Sequence, residues 1–381
     1  RVQLHAAAAL ALAETGDPKA LPTLTQALFI GPIYNQVRTG ITRVGKAAIP
    51  AMALLYQEKD PAIQELAKAK KFAEKAPGTV IFKGALLLGD LRAKEAVPLL
   101  VDGLTAESRV SYFDEKTKAP GPPTHMAILQ ALQSIGDPAA AEAVWAYAHD
   151  PKVDPMVKNR AIDVYSWLAA NSSHMADLLA NIKDDKGDEQ LRFASILVYG
   201  RLARTAADAK PIDDLVKSYA AKMAAAEEKV KTAKKPEDKE TAEVEKQIAS
   251  QWRDTLVETR NRIAIAIECK VDAICYGKAV TASDVAIGKP GMPRAERALL
   301  ELYKMGEKGR PALDLVLKVA DTSERIVREG VNLVLPRIAP MPCKQCVDRL
   351  QRVLESQSTQ TTLDVLNSET RIVYHYFLAG S

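Results

Sequence analysis

The side chains best equipped for chemistry in this sequence are four cysteines and five histidines. Cys269 and Cys275 lie in IECKVDAICYGK, and Cys343 and Cys346 in PMPCKQCVDRL. Thiols at such spacings can form a local disulfide, a thiolate redox pair or zinc ligands. The histidines, His5, His125, His149, His174 and His375, are scattered, and none is followed by Glu. No Gly-rich phosphate loop, GxSxG elbow or HExxH helix is present, so the signatures of phosphoryl transfer, serine hydrolysis and zinc proteolysis are missing. His149-Asp150 and Asp213-Asp214 are sequence neighbours, but adjacent side chains on a helix point in different directions and make no dyad. The reading predicts no catalytic residue, no cofactor and no metal site.

The elements that must position these residues are helices. Of 381 residues 47% are hydrophobic but only 5% aromatic, and the apolar total leans on alanine, as in HAAAALALA from His5 to Ala13. That composition favours closely packed helices over sheets, which need β-branched and aromatic faces. An all-α chain with no strand pairs beyond chance and no β domain is expected.

A recurring punctuation organises the helices. Gly16-Asp17-Pro18-Lys19-Ala20 returns as Gly45-Lys46-Ala47-Ala48-Ile49-Pro50, as Gly89-Asp90 running to Pro98, as Gly136-Asp137-Pro138, and more loosely as Gly306-Glu307-Lys308-Gly309-Arg310-Pro311. Each copy has a mechanical reading: Gly ends one helix in a left-handed conformation, Asp caps the next, and Pro at the first helical position loses no useful donor. The unit is a helical hairpin. In this punctuation the chain resembles the bacterial HEAT-like repeats of the PBS-lyase type. The resemblance implies a right-handed α-solenoid of about eight to nine irregular hairpins; it implies a fold and not a chemistry.

The hairpins are expected at 1–30, 33–58, 77–104, 123–149, 153–184, 187–230, 240–282, 293–320 and 323–357, with a last helix near 361–378. Further Asp-Pro helix starts are expected at Asp60-Pro61, Asp150-Pro151 and Asp154-Pro155. Grouped by composition, residues 1–204 form N-terminal repeats, 205–262 a long charged helical hairpin, and 263–381 C-terminal repeats with cysteine-clamped turns and a capping helix.

On this parse both cysteine pairs fall at the turn between the two helices of a hairpin. Helices stack roughly 8–10 Å apart, which puts the two turns on the order of 20 Å from each other and makes one four-cysteine zinc site unfavourable. Local Cys269–Cys275 and Cys343–Cys346 disulfides are expected, and an even count with no leftover thiol points to an oxidising compartment. The alternatives are a redox pair at Cys343-Lys344-Gln345-Cys346, since helix N-termini favour thiolate, and reduced, buried bystanders.

Three segments depart from a plain hairpin. Thr105–Pro123 is long for a solenoid connection and carries Tyr112 and Phe113 side by side among charges; it is either a partner-binding element or a loop folded over its own repeat. Asp208–Arg262 holds twelve basic and twelve acidic side chains around a break at Pro236. Two long antiparallel helices fit it, and their balance of charge argues against a nucleic-acid arm. The last helix, with Ile372, Val373, Tyr374, Tyr376 and Phe377, is expected to cap the end repeat.

Net charge is +4, too small to name an anionic partner. No stretch approaches the roughly 18 apolar residues that would cross a bilayer. Upstream of Arg1 the reading leaves room for a leader, a lipid anchor or earlier repeats. The expectation is a non-catalytic scaffold of the bacterial cell envelope, periplasmic or outer-membrane-associated. It would hold protein partners in a multi-protein assembly through Tyr112-Phe113 or the 220–250 hairpin, with no nucleic acid. The resemblance also admits a cytoplasmic chain, as a bilin-lyase-type enzyme or a nucleic-acid-binding HEAT-like protein. The lack of any His-Glu pair disfavours the HEAT-repeat hydroxylases, whose irons need such pairs repeated.

Overall fold

The computed structural model describes residues 2–72, 78–105, 111–114, 119–170, 173–356 and 361–380. They are almost wholly helical and follow the expected hairpins: Val2–Thr15 with Leu21–Ala27, Tyr34–Val44 with Ile49–Tyr56, Thr79–Asp90 with Val97–Thr105, and so on to Arg325–Ile338 with Lys344–Ser356. The punctuation works as its chemistry requires at most copies. Gly16 and Gly136 take φ of +65° and +72°, a region open to glycine at no steric cost. Asp17 and Asp137 accept from the amides of Lys19 at 2.9 Å and Ala139 at 3.0 Å, and a short 3-10 turn leads into the second helix.

One copy uses the same letters differently. Gly89 and Asp90 end the Thr79–Asp90 helix, and the left-handed residue is Arg92, at φ +54°. Gly89 is required by packing instead: a Cβ there would stand 2.7 Å from the Cα of Ala131. Asp90 caps nothing; it is buried and receives both arms of Arg38, at 2.6 and 2.8 Å. A buried cation must be paired, and that demand outranks the cap. At Asp150-Pro151 there is a turn, and the helix starts only at Pro155.

The all-α expectation holds, with one short two-stranded ribbon among the described residues. Ser111–Asp114 pairs antiparallel with Ala119–Pro123. The first segment is rich in strand formers, and in a two-stranded ribbon each strand is an edge, where proline is tolerated. The side chains of Tyr112 and Phe113 lie outside the described residues.

The chain divides into two compact units, residues 1–170 with 303–381, and residues 171–302. In the first unit, Thr361–Ala379 packs against Arg325–Ile338 and Lys344–Ser356, as a cap would, but also against Tyr34–Val44. The C-terminal helix therefore joins the two sequence-distant parts of this unit. Ile372, Val373 and Phe377 are buried there, and Arg328, fully buried, donates to Asn367 Oδ1 at 2.7 Å.

The second unit is dominated by two long antiparallel helices, Ala206–Thr232 and Pro236–Cys269. Thr205 and Asp208 make a reciprocal capping box, and Pro236 opens the return helix. Ile212, Tyr219 and Ala226 are buried at seven-residue intervals, as are Ala242, Ala249, Leu256 and Ile263 on the other helix. Such a repeat keeps a narrow apolar seam facing its partner, and alanine lets the backbones approach. Below the hairpin Glu296 is buried between two arginines. Arg201 Nε donates to it at 3.0 Å and Arg262 Nη2 at 2.8 Å. Burial alone would raise this carboxyl, but the two guanidiniums outweigh it and hold it at about 2.

Candidate functional site

A concavity of about 610 Å³ belongs to residues 171–302, on the flank of the long hairpin. Three local features build it. The Asp188 side chain caps the Glu189–Leu202 helix through the Leu191 amide, at 3.0 Å, and so fixes Arg192 in the first turn. The Ala206–Thr232 helix presents Tyr219, Lys222 and Lys229, and the return helix presents Glu245, Ile248 and Trp252.

Trp252 is the floor. Its ring stacks on Phe193 at 4.2 Å between centroids with 11° between planes, and the Arg192 guanidinium lies 4.1 Å from its centroid. Arg192 also donates to the Ile182 carbonyl at 3.1 Å, to Asp185 Oδ1 at 2.9 Å and to the Tyr219 hydroxyl at 3.1 Å. Lys222 donates to the other oxygen of Asp185 at 3.2 Å, and Lys229 to Glu245 at 2.7 Å. Partial burial works to raise the Asp185 carboxyl, but the hydrogen bond and charge of Lys222, helped by Arg192 and Tyr219, bring it below its ordinary value.

The polar groups of the groove are thus largely spent on each other. What remains open is apolar: Ile248 lines the groove and Val244 stands one turn before it on the same helix face, 49% and 52% exposed, while Trp252, one turn further on, is buried beneath. Such a surface can bury a complementary apolar side chain inside a polar rim.

The residues singled out in the sequence do not converge here. Tyr112 and Phe113 belong to the other unit. His125 meets the Tyr147 hydroxyl at 2.6 Å, His149 the Trp145 carbonyl at 2.9 Å, and His174 lies 3.4 Å from Asp177. The side chain of His5 lies outside the described residues. Among the described residues no three His, Cys, Asp or Glu side chains are placed to hold a metal ion. Cys269 and Cys275 stand at disulfide distance, with Cα atoms 5.4 Å apart, and so do Cys343 and Cys346, at 5.3 Å. Asp272 caps the helix after the first pair through the amides of Ile274 and Cys275, at 2.9 and 3.1 Å. Cys343 and Cys346 are buried.

Sequence reading named the hairpin but missed Arg192, Tyr219 and Trp252 as one cluster. The interval of four from Val244 to Trp252 was the available signal. The contribution of Arg192 was not readable, because it comes from a different hairpin.

Residues 4–29 match the PBS lyase HEAT-like repeat. That span covers the first helical hairpin and its Gly16-Asp17-Pro18 turn. No curated protein matches the sequence. Among solved structures the chain is similar to the crystal structure of an engineered protein, at 12% identity and a TM-score of 0.30, over 97% of this chain and 94% of that one.

Proposed function

We propose that this HEAT-like repeat protein is a non-catalytic scaffold that holds another protein on the flank of its long hairpin. The observation that carries the proposal is the exposed Val244–Ile248 pair beside the buried Trp252 floor, bordered by charges already paired. Aromatic and aliphatic anchors surrounded by a polar rim are the anatomy of protein interfaces. The spent polar groups support a binding role over an enzymatic one, and the even charge of the hairpin supports a protein over a nucleic-acid partner. Two cysteine pairs at bonding distance, with no free cysteine, support an oxidising compartment such as the cell envelope. No helix among the described residues is long and apolar enough to cross a membrane.

A photo-crosslinker at position 245, beside Ile248 in the lining of the groove, used in the native cell fraction, should trap one polypeptide. Val244→Asp with Ile248→Asp should remove that adduct while helicity is unchanged. Retention of the adduct in the double variant would overturn the assignment. Alkylation before reduction, in the same fraction, should find all four cysteines protected; four labelled thiols would sink the oxidising compartment.

A further inference from the structure

A second concavity has the opposite character. In the unit of residues 1–170 with 303–381, a groove of two lobes follows the line where the C-terminal helix meets Tyr34–Val44 and Lys344–Ser356. The first lobe, about 270 Å³, is lined by Asn35, Gln36, Thr39, Asn367, Ser368 and Arg371, with Leu354 on one side. The second, about 260 Å³, is lined by Gln351, Glu355, Tyr374 and His375, and shares Leu354 and Arg371 with the first. Arg371 therefore stands between the lobes.

Much of the hydrogen-bonding capacity of the first lobe is unspent, although Thr39 Oγ1 donates to the Gln36 carbonyl at 2.8 Å. Arg371 is exposed and makes no ion pair or hydrogen bond among the described residues. The side chains of Asn35, Gln36 and Ser368 make none either. Asn367 accepts from the buried Arg328 through Oδ1, at 2.7 Å, which leaves its amide N–H groups as donors. Arg371 is the only charged side chain among the described residues of this lobe.

The second lobe has the complementary polarity. Glu355 accepts from Gln351 Nε2 at 2.9 Å and keeps further lone pairs for hydroxyl donors. Its charge disfavours an anion on that side. The Tyr374 ring is half-buried, and burial holds His375 neutral at pH 7, down at about 4.

We propose that this groove binds a small hydroxyl-rich carboxylic acid of the sugar-acid class, with Arg371 and the side-chain amides on the carboxylate and Glu355 and Tyr374 facing the hydroxyls. A planar guanidinium matches a carboxylate by two parallel hydrogen bonds. A phosphate dianion would call for a second cation, and none lines the lobe among the described residues. The proposal is independent of the hairpin groove, which belongs to the other unit.

The test is calorimetric titration of the full chain with digalacturonate and with its neutral counterpart digalactose, at low and at moderate salt. Digalacturonate should bind at least about tenfold more tightly than digalactose, the range expected of a charge-assisted pair. Added salt should weaken it. Arg371→Ala should remove most of the binding and Arg371→Lys only part of it, each with an unchanged circular dichroism spectrum. Equal affinity for the acidic and neutral sugars, full affinity in Arg371→Ala, or no heat with either ligand would each overturn the proposal.

Discussion

The hairpin groove and the two-lobed groove are both lined by polar side chains, yet they differ in how far those groups are already satisfied. Around Trp252, Arg192, Asp185, Lys222 and Tyr219 bond to one another and the open surface is apolar. Around Arg371 several polar side chains, Arg371 itself with Asn35, Gln36 and Ser368, have no partner among the described residues. Composition would have ranked the two alike. The difference teaches that a polar residue signals a ligand only when its own protein does not already satisfy it. Satisfied networks stabilise the fold, whereas unsatisfied ones at a surface are solvated and available.

The contrast breaks first on stability. Trp252→Ala removes a buried indole and leaves Arg192 without its ring, so it should cost about 3–5 kcal/mol. Arg371→Ala, at a solvated position, should stay within about 0.5 kcal/mol. Hydrogen exchange resolved by segment would read both, and a destabilising Arg371→Ala would show that the two-lobed groove is structural after all.

Acid should sharpen the comparison between the units. His375 is 8% exposed; burial is the main reason its pKa falls to about 4, with Arg43 and Arg371 adding to the drop and Glu14 opposing it. The unfolded chain takes up this proton near pH 6.5 and the folded chain does not, so stability should fall as pH drops from about 6.5 to about 4. The loss is on the order of 3 kcal/mol. Glu296 behaves oppositely: its contribution is complete above its unfolded value near 4.3 and is lost only as pH falls toward about 2. Exchange at pH 5 should therefore rise in residues 367–380 before it rises in 291–302, and His375→Gln should flatten the first response. Equal loosening of both segments at pH 5 would contradict this assignment.

The smallest effect concerns the rim. Lys222 and Asp185 are largely exposed partners, with side chains 51% and 60% accessible, so Lys222→Ala should cost about 0.2–1 kcal/mol. A larger loss in chemical denaturation would mean that Asp185 organises the groove, and not just its edge.

The sequence alone determined the helical hairpins, most of their turns and the two long helices, because these are local. A glycine that must turn left, an aspartate that caps two residues on, and an apolar seam every seven residues carry their instructions within one hairpin. The pairing of cysteines three and six residues apart was legible for the same reason. Tertiary structure alone decided that Asp90 serves Arg38 and not a helix start, that Arg192 lies over Trp252, and that the last helix packs against the second hairpin. Those contacts join residues separated by tens to hundreds of positions, and which of two competing partners a polar group takes depends on what else is buried beside it. For the same reason Arg371, unremarkable in the sequence, becomes a candidate binding residue only where the two distant parts of its unit meet and leave it unpaired.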